Sequence, residues 1–218
     1  MNKNVKPIKN LALATVSLAG LLTQSAHAQS ELILSSGSST ISVTGNANGL
    51  ASYNGSVGGW SVDVSTGLAI PSEPSDTIDL NSVSLSVPGT ADPLEILWSS
   101  TGYTPGTYSA SVGGTLSTGI SDRFTSYYGG TVGNLTGAAV LTASLAFSGN
   151  PFSGSASGVA SGASPVLTQE VLISGGSLPF SESSFDFKVA PVAVPESSSI
   201  GLLFAGACLA VTKLKRAK

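Results

Sequence analysis

The stretch "TIDLNSVSLSV", residues 77–87, decides the fold class. Ile78 and Leu80, then Val83, Leu85 and Val87, stand at alternate positions among Thr, Asp, Asn and Ser. In an extended chain alternate side chains share a face, so this segment buries one side and wets the other. Segments on either side repeat the signature. "WSVDVSTGLAI" (60–70) sets Val62, Val64 and Leu68 among polar neighbours, and "TASLAF" (142–147) does so with Ala143, Leu145 and Phe147. Shorter candidates are Leu32 to Ser35, Thr40 to Val43, Leu94 to Trp98, Thr107 to Val112, Val166 to Ile173 and Ser184 to Val189.

Between these lie turn signals: "NANG", "YNGSVGG", "IPSEPSD", "VPGTADP" and "SGNPFSG". They are rich in residues that tolerate positive φ or fix it. The Ser- and Gly-rich "FSGSASGVASGASP", residues 152–165, reads as a loop or a weak edge strand. Residues 29–190 nowhere sustain helical periodicity with capping signals. About ten short strands at this spacing predict an all-β domain, an antiparallel β-sandwich or jelly roll.

The flanks read differently. Lys3, Lys6 and Lys9 precede an apolar run from Leu11 to Leu22, and Ala26-His27-Ala28 supplies small residues for signal peptidase. The run is too short for a span, which takes about 20 residues. Residues 1–28 are therefore expected to be a signal peptide cut after Ala28. Residues 191–218 hold a second apolar segment, 200–212, and a basic tail, 213–218, with Lys213, Lys215, Arg216 and Lys218. As a short hydrophobic helix the segment suits a transient anchor, with the basic tail held on the cytoplasmic side of the inner membrane.

Removing the flanks exposes a strong charge bias. Between residues 29 and 194 two basic residues, Arg123 and Lys188, stand against eleven acidic ones, a formal charge of −9. A body so acidic has no basic footprint for phosphate backbones, which argues against nucleic acid as a partner. The chain's one His is His27 and its one Cys is Cys208, both in the flanks. The domain therefore has no Ser-His-Asp or Cys-His nucleophile system, no His- or Cys-ligated zinc and no disulfide.

Carboxylates and aromatics remain. Two carboxylates suffice to hydrolyse a glycoside, and Glu73, Asp76, Asp79, Asp92 and Glu95 lie close in sequence. The first three border the turn "PSEPSD", where solvated acids are routine. Lys188, in "FDFKV", reads as a solvent-facing strand charge rather than a hydrolase base. Asp76 and Asp79 are the calcium candidates, although three residues apart on a strand they point to opposite faces unless the backbone turns. Trp98, Tyr103, Tyr108, Tyr127 and Tyr128 cluster in the middle third and are the candidate platform for a sugar, with core packing as the plainer account. No cofactor is called for.

The tail carries a family likeness. Val194-Pro195-Glu196, then the apolar segment, then the basic terminus, resembles the PEP-CTERM sorting signal of Gram-negative bacteria, which exosortase recognises. "VGGWSVDVSTGLAIP", "IDLNSVSLSV", "STGYTPGTYSASVGGTL" and "LTQEVLISGGSLPFSESSFDF" are similar, in that order, to segments common in proteins bearing the signal. The usual proline after Val-Pro-Glu is Ser197 here, which frees the backbone and restores a donor. The resemblance implies an exported, non-catalytic protein processed by signal peptidase and exosortase. It would be a membrane-anchored precursor first, then part of the cell envelope or extracellular matrix, adhesive or structural among exopolysaccharide. A carbohydrate-binding module-like surface protein is the alternative.

Overall fold

The computed structural model describes residues 28–70, 76–87, 92–175 and 181–193. Expectations for Ala26, the sorting motif Val194, Pro195 and Glu196, segment 200–212 and the tail Lys213, Lys215, Arg216 and Lys218 fall outside the described residues, as does Glu73.

The described chain forms thirteen strands. They are β1 (Ser30–Ser36), β2 (Ser39–Thr44), β3 (Leu50–Val57), β4 (Trp60–Ile70), β5 (Thr77–Val87), β6 (Leu94–Ser100) and β7 (Gly106–Leu116). β8 (Ser121–Thr131), β9 (Asn134–Val140), β10 (Leu145–Phe147), β11 (Phe152–Ala160), β12 (Leu167–Ser174) and β13 (Ser181–Pro191) follow. No helix occurs among the described residues.

Two antiparallel sheets result. The front sheet runs β10-β8-β12-β6-β1-β2, with β9 also pairing along β8; the back sheet runs β11-β7-β13-β5-β4-β3. Partners nest: β5 with β13 in the back, β6 with β12 in front, β7 with β11 in the back, and β8 with β9 and β10 in front. That wrapping order is a jelly roll, and the sandwich reading of the alternation holds. The hairpins β1–β2 and β3–β4 extend the front sheet beyond β6 and the back sheet beyond β5.

The apolar phase of each strand faces the other sheet. Leu32 and Leu34 of β1, Ile78 and Leu80 of β5, Ile96 and Trp98 of β6, and Phe187 of β13 are all buried in one core. At one end Phe124 packs edge-on against Phe185 and Phe187, ring centroids 5.1 and 5.4 Å away, while Phe147 stacks on Phe152 at 4.7 Å. Elsewhere the sheets touch through a glycine: a methyl on Gly67 would stand 2.5 Å from the Trp98 indole.

In residues 77–87 the apolar phase changes between Leu80 and Val83. The ladder records that change, since Ser183 pairs with Leu85 but Phe185 pairs with Ser82. A β-bulge there absorbs the extra residue.

The structure decides three points that the sequence left open or misplaced. Asn54-Gly55, read as part of a turn, lies inside β3, whose turn into β4 comes at Gly58-Gly59. Of the two readings of the Ser- and Gly-rich segment, loop or weak edge strand, the second holds, since residues 152–160 form a nine-residue edge strand. Strand β8 does not show in the sequence pattern because residues on both of its faces are buried, which leaves little clean alternation.

Candidate functional site

Four of the five aromatics proposed as a sugar platform belong to the interior. Trp98, Tyr103, Tyr108 and Tyr128 are at most 4% exposed. Their polar tips are used internally. The Tyr103 hydroxyl donates to the Thr77 carbonyl (3.2 Å), Tyr108 to Thr104 (2.7 Å) and Tyr128 to the Tyr103 carbonyl (3.2 Å). These tyrosines tie down the crossover from β6 to β7, and burial raises the Tyr103 and Tyr128 phenols. A ring held this way offers no face to a glycan, so the platform is corrected to Tyr127 alone, which is half-buried on the opposite face of β8.

The calcium candidates part company. Asp76 is buried, and its Oδ2 accepts from the Thr104 hydroxyl at 2.8 Å, anchoring the same crossover. Asp79 stands on the outer face of the back sheet, opposite Lys188 in the ladder. Its carboxyl is pushed up to about 6, first by burial, then by the charge of Asp186 and a hydrogen bond to it, with Lys188 opposing. The two aspartates do not converge. Among the described residues no three acidic, His or Cys side chains gather as a metal site. Asp92 is exposed beside the β1–β2 turn, and Glu95 accepts from the Ser35 hydroxyl at 3.0 Å on the front sheet.

The outer face of the front sheet is where the remaining chemistry collects. Register aligns Ser35, Glu95, Leu172, Arg123 and Ala146 in one row across five strands. The next row holds Ile33, Leu97, Glu170 and Thr125, and the third Glu31, Ser99, Thr168 and Tyr127. Bonds along the face confirm the orientation: Tyr127 donates to Glu170 Oε2 at 2.9 Å, and Thr168 donates to Ser99 at 3.0 Å. Burial and the adjoining Glu170 carboxylate push the Tyr127 phenol up to about 12.

Half of this face is roofed by the chain itself. Gly129 and Gly130 take φ of 97° and 73°, and the β8–β9 register shifts between Gly129 and Thr131, so the hairpin bends out of the sheet. Its tip comes down on β1, three strand spacings or about 14 Å from β8: a methyl on Gly133 would stand 2.9 Å from Ile33 Cδ1. Leu97 and Glu170 are consequently 7% exposed although their side chains point outward.

The uncovered row ends in an open depression of about 210 Å³ lined by Ser121, Asp122, Arg123, Ala146, Leu172 and Ser174. Arg123 supplies donors and Leu172 with Ala146 an apolar floor, while Glu95, beside Leu172 in the same row but outside the depression, offers an acceptor. That combination suits a neutral, hydroxyl-rich ligand lying flat on the sheet.

Two polar groups that the sequence reading did not single out cross the core. Gln169 Nε2 donates to the Phe187 carbonyl at 2.6 Å, and Ser183 donates to Asp122 Oδ2 at 2.5 Å. Each joins the front sheet to the back. Asp122 is 1% exposed and its Oδ1 has no partner, and burial pushes its carboxyl up to about 6 against the Ser183 hydrogen bond. Spacing could have located Asp122, because Phe124, Ser126 and Tyr128 share its phase.

No protein-family model matches the chain, and no curated protein matches it. Among solved structures it is similar to TmCBM61 in complex with β-1,4-galactotriose, with 10% identity and a TM-score of 0.35 over 60% of this chain and 86% of that one. It is also similar to the enzymatically active domain of bacteriophage CBA120 tailspike protein 4, with 12% identity and a TM-score of 0.35 over 63% of this chain and 18% of that one.

Proposed function

We propose that this chain is an exported, non-catalytic surface or extracellular-matrix protein sorted by exosortase, its jelly roll serving an adhesive or structural role among exopolysaccharide. The observation that carries the reading is the tripartite tail: Val194-Pro195-Glu196, the apolar segment 200–212 and the basic residues 213–218. The described body is compatible with it, since β1 opens at Ser30 and β13 closes at Pro191, between the two processing signals. In this reading residues 1–28 direct export, and the tail first holds the precursor in the inner membrane and then releases it.

The test is mass spectrometry of the C-terminal peptide in hosts with and without exosortase. The enzyme should remove "KLKRAK", and Glu196→Ala should leave the protein exported, membrane-bound and uncut. Intact wild-type tails in the exosortase-bearing host would reduce the segment to a plain anchor.

The depression beside Arg123 favours a second reading, a carbohydrate-binding surface protein. Its donors and apolar floor, with the Glu95 acceptor next to it in the same row, are what a neutral sugar ring requires. Binding of the producer's own polysaccharide, weakened by Arg123→Ala, is the corresponding measurement.

A further inference from the structure

The charged residues of this body avoid the edges of its sheets. From Phe124 to Gln169 the sequence contains no Asp, Glu, Lys, Arg or His. That interval supplies β9, β10 and β11, which together form one lateral side of the sandwich, with β9 and β10 at the edge of the front sheet and β11 at the edge of the back sheet. The same side carries the two most exposed large apolar side chains among the described residues, Val140 at 63% and Val159 at 70%.

The ordinary defences of an edge strand are missing from β11. It pairs with β7 over all nine residues, Phe152↔Gly114 to Ala160↔Gly106, without a register shift, and no proline or charge interrupts it. Sheet edges of this kind template pairing with another strand, and natural proteins block them with lysines, prolines, bulges or short length. The opposite side is better blunted. β3 is bulged between Ala51 and Tyr53, and β2 has six residues.

We propose that the free edge of β11 is an interaction surface for a second copy of this chain, the two β11 strands pairing antiparallel and joining two back sheets into one. Electrostatics selects the partner. Bodies of formal charge −9 repel one another, and the repulsion is least where neither copy presents a charge. Side-chain volume permits the approach, because the outward residues Ser153, Ser155 and Ser157 are small. With Ala156 on the two-fold axis, Val159 of each copy lies across from Ser153 of the other. Edge pairing buries little area, so the association is weak in dilute solution and effective where copies are crowded on a surface.

The test uses the full chain in detergent, with Cys208→Ser as background. Ser157→Cys on β11 should cross-link copies through a short bis-maleimide, whereas Thr44→Cys on β2 should not. Val159→Lys should lower self-association by at least about tenfold in sedimentation equilibrium, because a lysine on an edge blocks strand pairing and would have to shed its water beside Ser153 of the other copy. Both positions are exposed, and an unchanged thermal melt confirms that each variant folds. Three results would overturn the proposal: a monomer at all concentrations, equal cross-linking from Thr44→Cys, or association indifferent to Val159→Lys. The last would assign self-association to the tail instead.

Discussion

Asp122→Asn should change how stability depends on pH, in the direction opposite to ordinary acid denaturation. The Asp122 carboxyl is almost fully buried, has one oxygen unpartnered, and is raised from 3.8 to about 6 by burial. Because the folded form holds its proton more tightly than the unfolded chain, stability from this group is complete below pH 3.8 and is lost as pH rises through about 6. At about 1.4 kcal/mol per pH unit, ionising it costs about 3 kcal/mol, of which most is incurred between pH 4 and pH 7.5. Asn keeps the acceptor for the Ser183 hydroxyl and never ionises. Asp79, also raised to about 6 but half-exposed and screened, adds a smaller loss of the same sign in wild type and variant alike. Urea unfolding of the full chain, followed by fluorescence of the buried Trp60 and Trp98, reads the effect. Relative to wild type, Asp122→Asn should gain about 2 to 3 kcal/mol more at pH 7.5 than at pH 4. A variant whose difference from wild type is the same at both pH values would refute the argument that Asp122 is ionised at a cost inside the folded core.

Gly67→Ala should destabilise by about 1 to 3 kcal/mol, since the added methyl meets the flat of the Trp98 indole at 2.5 Å in a filled core; a thermal melt that does not move would mean that the sheets separate there without cost. Arg123→Ala should weaken retention on the producer's polysaccharide while leaving the urea midpoint within about 0.5 kcal/mol, because the side chain is exposed. Equal retention of both proteins in a pull-down would remove the depression as a sugar site.

How much of this was legible depended on where water lies. Strands with one wet face, such as β1, in which Ser30, Leu32, Leu34 and Ser36 are buried and the residues between them are not, declare themselves by alternation, and every segment chosen for alternating residues overlaps an observed strand. β8 hides because the bent β8–β9 hairpin lies over the outer face that it shares with β12, so residues of both phases are buried there, whereas β12 is legible as the apolar run Val166 to Ile173. That roof depends on Gly129, Gly130 and a turn landing on Ile33, a contact between distant parts of the chain that no local pattern encodes. The tyrosines were ambiguous for a related reason. A phenol serves equally as the wet rim of a ligand site or as a donor inside a core, and only the topology supplies the acceptors at Thr77, Tyr103 and Thr104 that decide for the core. Charge was the more faithful guide. The sequence confines charge to a few positions, and among the described residues every charge carried by a strand lies on a strand inside the sheets while β2, β3, β9, β10 and β11 at the margins have none. Selection for a solitary soluble body would place charges at those margins first. On β3 a bulge and on β2 short length stand in for the missing charges, whereas β11 has neither, which is the pattern the proposed pairing of two copies along β11 requires.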